Sequence, residues 1–185
     1  MPDVPVYVAV LFYLTTLAAL YWLWKATRQS TLVLIIVSAW LIGQWFVTQS
    51  GFYQVYHTLP PRFALIIMPP TVAVLLLFTL PAGRRWIDSL NLPTLVILHT
   101  VRIPVEICLC WLFLHLAIPE IMTFEGGNWD IVSGLTAPFI YWYGYRRPKL
   151  SNSILLAWHI ACVLLLINVV VRGILSAPSA FQQFA

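Results

Sequence analysis

Six apolar runs, each long enough to cross a bilayer, decide what this chain can fold into. They cover residues 5–25, 31–50, 62–80, 93–118, 129–146 and 152–173. A hydrocarbon core about 30 Å thick takes roughly 20 mostly apolar residues as one helix. The runs are continuous rather than alternating, which argues against a transmembrane β-barrel. Composition closes the other routes. Of the 185 residues 61% are apolar and only 9% charged, against roughly 45–50% and 25% in soluble domains. Such a chain has too little polar surface to cover a soluble globule, and it is too apolar for intrinsic disorder. The expected fold is all-α: a single transmembrane domain over residues 1–185, a polytopic bundle of about six spans. The first run is not a cleaved signal peptide, because it is too long and its basic residues follow it.

The net charge of +4 does not describe a nucleic-acid surface. Seven of the ten basic residues form three short clusters at the ends of apolar runs: Lys25/Arg28, Arg84/Arg85 and Arg146/Arg147/Lys149. Only Arg62 and Arg172 fall at the opposite ends. Seven against two in short loops places the basic loops in the cytoplasm and the amino terminus outside. Tyr and Trp near the run ends, among them Tyr21, Trp24, Trp86, Trp129 and Tyr143, suit interfacial anchors. Two runs are irregular. Pro69–Pro70 removes two backbone donors in the middle of span 3, which predicts a kink or break there. Span 5 is short and carries Gly134 and Pro138, which predicts a tilted or partly re-entrant segment. No internal repeat or linker is evident.

An ionisable side chain at the centre of a membrane helix costs roughly 2.5–3.5 kcal/mol on insertion scales, so each one needs a partner and is a functional candidate. Span 4 holds His99, Arg102, Glu106 and His115. At 100° per residue, His99, Arg102 and Glu106 lie within about 60° of one another. Arg102 and Glu106 stand one turn apart, where side chains meet. His115 points away, nearer the outer surface. Span 6 contributes His159 and Asn168. His99 and His159 lie at similar depths, on the order of 10 Å from the cytoplasmic boundary, so packing of spans 4 and 6 would gather His99, Arg102, Glu106 and His159 into one patch. The alternative is a neutralised Arg102–Glu106 pair that serves helix packing alone.

The loop from Pro119 to Asp130 holds three of the six acids, Glu120, Glu125 and Asp130, and no basic residue. It also carries Met122, Phe124 and Trp129, which suggests that it folds back onto the bundle. Gly126–Gly127 permits a tight turn with positive φ, and Asn128 or Asp130 suits the cap of span 5. Carboxylates in this number are candidate ligands of a hard cation, or partners for Arg62 and Arg172. His57 and His115 on the same side are candidate metal ligands with Glu120 or Glu125. Four histidines also allow two haem-ligating pairs, His99 with His159 and His57 with His115. Cys108, Cys110 and Cys162 read as small buried apolar residues. No phosphate loop, dinucleotide fingerprint, G-x-S-x-G elbow or H-E-x-x-H is present, so no catalytic residue is assigned.

His99-Thr-Val-Arg-Ile-Pro-Val-Glu106 and Pro119-Glu-Ile-Met-Thr-Phe-Glu-Gly-Gly-Asn-Trp-Asp-Ile131 resemble a family of uncharacterised multi-pass membrane proteins of Bacteroidetes-type bacteria. The likeness is best from span 4 to span 5 and looser from Asn168 to Gln183. It implies the polytopic fold and no activity. It also implies a further apolar helix beyond Phe181–Ala185, with a cytoplasmic carboxy terminus. Three functional readings follow from the residues. The first is a protein handling a small solute, proton or ion, with His99, Arg102, Glu106 and His159 as its site and the acidic loop as its mouth. The second is a membrane-embedded haem- or metal-dependent redox protein. The third is a non-catalytic scaffold or subunit. The lipid bilayer is the partner common to all three, and nucleic acid is excluded; cofactor and oligomeric state stay open.

Overall fold

The computed structural model describes residues 4–55, 58, 60–177, 179 and 182–184. Among these the chain is helical, without a strand. Four helices are long and apolar enough to cross a membrane. They are α1 (Val6–Ala26), α2 (Thr31–Gln49), the composite Leu92–Leu114 and α8 (Asn152–Ser176). The composite consists of α5 (Leu92–Leu98), a 3-10 turn (His99–Val101) and α6 (Arg102–Leu114). Restarting the helix at Arg102 puts Pro104 in a first turn, where its missing N–H leaves no ladder bond unmade. Side chains cap three starts. Ser30, Asn91 and Ser151 accept from the backbone N–H groups of Val33, Thr94 and Ile154.

The other two apolar runs are less regular. α3 (Ala64–Thr79) continues through Pro69 and Pro70 without a break. The sharp bend comes instead at Leu80, where the axis turns by 92° into α4 (Pro81–Asp88). Leu80 precedes a proline and is therefore pushed into extended backbone, with φ −80° and ψ 137°. Arg84 fastens the corner by donating from Nε to the Phe78 carbonyl at 2.6 Å. The run at 129–146 forms α7 (Ile131–Ile140) and a π-helical end (Tyr141–Arg146). Together they rise at most about 24 Å, less than the hydrocarbon thickness.

The composite helix is the axis of the bundle. α1 packs along α5 and α6 on one side, with α2 outside α1; α7 packs on the other, with α8 beyond it. α3 packs chiefly against α4. Burial is inverted relative to a soluble domain. Leu17, Ile36 and Leu164 are 61%, 58% and 61% exposed, whereas Asn128 and Ser133 are 1% exposed and Glu106 7%. Apolar side chains face outward because hydrocarbon solvates them, and polar groups are driven inside.

All three basic clusters fall at one end of this bundle. The Asn91 N–H donates to the Ala26 carbonyl at 2.8 Å, which ties the α1–α2 turn to the start of α5 just after α4. The π-helical end that precedes Arg147 and Lys149 also packs on α5. At the opposite end Tyr7 meets Trp111 edge to face at 4.8 Å, so the start of α1 lies beside the loop that follows α6.

Candidate functional site: a polar seam under an inward-folded loop

The segment between α6 and α7 folds back into the bundle, and intramembrane polar residues hold it there. Glu106 receives two donors: the Phe124 N–H on Oε1 at 2.6 Å and the Asn128 side-chain amide on Oε2 at 3.2 Å. Asn128 also donates to the Met122 carbonyl at 2.9 Å, and its Oδ1 accepts from the Asp130 N–H at 3.4 Å. Asp130 forms an ion pair with Arg102. Both members are largely buried, with side-chain exposures of 17% and 15%. The circuit therefore runs Arg102, Asp130, Asn128, Glu106, and closes through one turn of α6.

This differs in detail from the expected Arg102–Glu106 pair. The two do share a helix face, but Arg102 is drawn to the carboxylate that starts α7, and Glu106 is taken by loop donors. Asp130 stands at the cap position of α7 yet caps nothing with its side chain; the nearby guanidinium outcompetes the helix N–H groups for it. Glu106 lies eight residues before the end of α6, about 12 Å down the helix. The loop reaches at least that far inward. Irregular backbone at such depth needs protein partners for its N–H and C=O groups, and the seam supplies them.

α8 clamps the same loop from the far side. Asn168 donates from Nδ2 to the Gly127 carbonyl at 2.9 Å. Arg172 donates from Nη1 to the carbonyls of Gly126 at 2.5 Å and Ile121 at 3.3 Å, and from Nε to Asn168 Oδ1 at 2.9 Å. Gly127 has φ +98°, and a Cβ there would lie 2.7 Å from the Arg172 guanidinium, so only glycine fits both the turn and the clamp. Gly134 has a packing role: a Cβ would sit 3.0 Å from the His99 carbonyl and from the Ile103 side chain. Its absence lets α7 approach the junction of α5 and α6.

The histidines divide between two places. His99 and His159 each meet the Trp158 indole edge to face at 5.1 Å. His159 Nε2 is 3.3 Å from the Tyr145 hydroxyl, while His99 Nδ1 is buried without a hydrogen-bond partner among the described residues. Spans 4 and 6 thus bring His99 and His159 to one aromatic cluster on the basic side of Arg102, next to the carboxylate circuit rather than inside it. His115 sits at the carboxy-terminal end of α6 with Nδ1 2.8 Å from the Trp111 carbonyl. The other proposed metal ligand, His57, lies outside the described residues.

The three loop acids do not converge. Asp130 is inside on Arg102, whereas Glu120 and Glu125 are exposed. Among the described residues no group of three or more His, Cys, Asp and Glu side chains is arranged to hold a metal ion. Glu120 instead borders two open cavities at the end of the bundle opposite the basic clusters. One, of about 590 Å³, is lined by Pro119, Gly126, Gln183 and Phe184 among others. The second, of about 540 Å³, is bounded by Phe113, Leu116, Ser176 and Gln182 among others. Of the anticipated cationic partners, Arg172 binds loop carbonyls rather than acids, and Arg62 stacks over the Phe52 ring at 4.7 Å. Sequence reasoning missed the Arg102–Asp130 pairing and the role of Asn128. The signal for both was the position of a lone Asn and Asp at the foot of a run too short to span. Comparison with protein-family models, curated proteins and solved structures finds no match.

Proposed function

We propose that this chain is a bacterial inner-membrane protein with its amino terminus outside and six membrane-embedded segments, of which 129–146 is re-entrant with the preceding loop. It handles a small solute, proton or ion through the seam formed by Arg102, Asp130 and Glu106, with His99 and His159 on the cytoplasmic side. The observation that carries this reading is the burial of two carboxylates with one guanidinium at membrane depth. Ionisable groups are retained in such places at considerable cost, and they mark pathways more often than lipid-facing surfaces do. Two further features support it. α7 begins inside the bundle, as half-helices do at transporter sites. Glu120 lines the outer cavities from which a cation would enter.

The test is flux into liposomes carrying the purified protein, read with a pH-sensitive dye and with sodium, potassium and chloride indicators. The expected result is flux of one of these ions that falls on the order of tenfold or more in Glu106→Gln, with thermal stability and expression retained. Absence of flux for all of them overturns the proton and ion reading. A scaffold role is the second reading, favoured by one observation: both oxygens of Glu106 are occupied by loop donors. Under it, Glu106→Gln lowers stability, and the wild-type protein carries no ion.

A further inference from the structure

Charge counting in the seam leads further than its hydrogen bonds. Two carboxylates, Asp130 and Glu106, meet one guanidinium, Arg102. The next cation, Arg172 of α8, is spent on loop carbonyls and Asn168. The remaining titratable neighbours are His99 at the 3-10 turn, His159 and Cys162 on α8, and Cys108 on α6 beside the Val8 carbonyl of α1. With both acids ionised, the seam holds one excess negative charge in a poorly solvated place. A bound proton removes that excess.

The geometry also gives that proton a mechanical consequence. Arg102 and Glu106 stand four residues apart on one helix, so the guanidinium that now holds Asp130 has a second carboxylate within reach. We propose that Arg102, Asp130 and Glu106 form a one-proton site in which Arg102 changes partner: a proton on Asp130 releases the guanidinium to Glu106. This inference rests on the ion-handling reading and narrows its cargo to the proton. The step balances simply. The Asp130 carboxylate takes up H⁺ and becomes neutral, Arg102 stays a cation, Glu106 stays an anion, and the net charge of the three goes from −1 to zero.

The partner change is felt in the loop. Glu106 cannot give full acceptor strength to Arg102 and also to the Phe124 N–H and the Asn128 amide. Asn128 links the two acids, donating to Glu106 and accepting from the Asp130 backbone. Binding a proton at one end therefore loosens the loop at Phe124, while Asn168 and Arg172 keep Gly126 and Gly127 attached as a hinge.

Two measurements on the full chain in nanodiscs test this, with the proton itself as the probe. In potentiometric titration from roughly pH 8 to roughly pH 5, the wild type takes up one proton more than Asp130→Asn. In hydrogen exchange at a single pH, the Asn variant, which mimics protonated Asp130, exchanges the Phe124 amide on the order of tenfold faster than wild type, while Asp130→Glu stays close to wild type. Equal proton uptake, or a Phe124 amide equally protected in the Asn variant, overturns the proposal. Should Asp130→Asn fail to fold, the wild type alone decides. After correction for intrinsic exchange chemistry, its Phe124 protection falls on acidification, and unchanged protection overturns the partner change. Flux without these two signatures leaves the ion-handling reading standing and removes the one-proton site. Both signatures without flux do the reverse.

Discussion

The two sides of the composite helix are held together by different physics. On one side α1 and α2 meet chiefly through apolar side chains, and α2 does not bury a single residue completely. Hydrocarbon solvates Ile36 about as well as a neighbouring helix would, so packing there is driven weakly. On the other side α6, α7, α8 and the 119–130 loop enclose Glu106, Asn128, Thr123 and Ser133, all of them buried. There the alternative to a protein partner is an unsatisfied polar group in lipid, which is expensive. Specific geometry in this bundle is therefore concentrated in the polar half. The apolar half sets location.

Substitutions put that contrast at risk, and the largest effect belongs to Arg102→Ala. It strands the buried Asp130 carboxylate, and a loss of about 3–5 kcal/mol is expected, read from denaturant or thermal unfolding in detergent. Glu106→Ala comes next. It unpairs the Phe124 N–H and the Asn128 amide, for about 1–3 kcal/mol, with raised exchange confined to the 119–130 loop. Gly127→Ala meets both the positive φ and the Arg172 guanidinium, and it should cost about 1–2 kcal/mol by the same unfolding measurement. Asn168→Ala removes its bond to the Gly127 carbonyl and the acceptor of the Arg172 Nε, each worth roughly 0.6 kcal/mol in membrane bundles. Ile36→Ala on the lipid-facing side should stay within about 0.5 kcal/mol. A cost at Ile36 as large as that at Glu106 would mean that the apolar half carries specificity too.

The elements legible from the sequence were those whose cause is local. Four apolar runs became long helices with bounds within a few residues of expectation, because hydropathy and length alone decide a membrane helix. The inward fold of the Pro119–Asp130 loop was also anticipated, but not its cause: Phe124 and Trp129 stay 48% and 56% exposed, and Thr123 and Asn128 are the residues drawn inside. What escaped was partner choice. Spacing put Glu106 opposite Arg102, but spacing says nothing of a competitor arriving from 28 residues away. The bend in the third run was misplaced for a similar reason: Pro69–Pro70 drew attention by number, whereas a single residue before Pro81 turned the chain. The expected carboxylate cluster failed because one of its three members was already committed to the interior.

The π-helical end of α7 has a consequence for registration. Its wider winding sets how far around the axis each residue from Tyr141 to Arg146 is carried. Rewinding these residues as ordinary α-helix, with none deleted, would carry the phenol of Tyr145 further around the axis, away from the imidazole it now faces across to α8. The wider turn thereby acts as a compass setting for the end of the protein that carries the basic clusters.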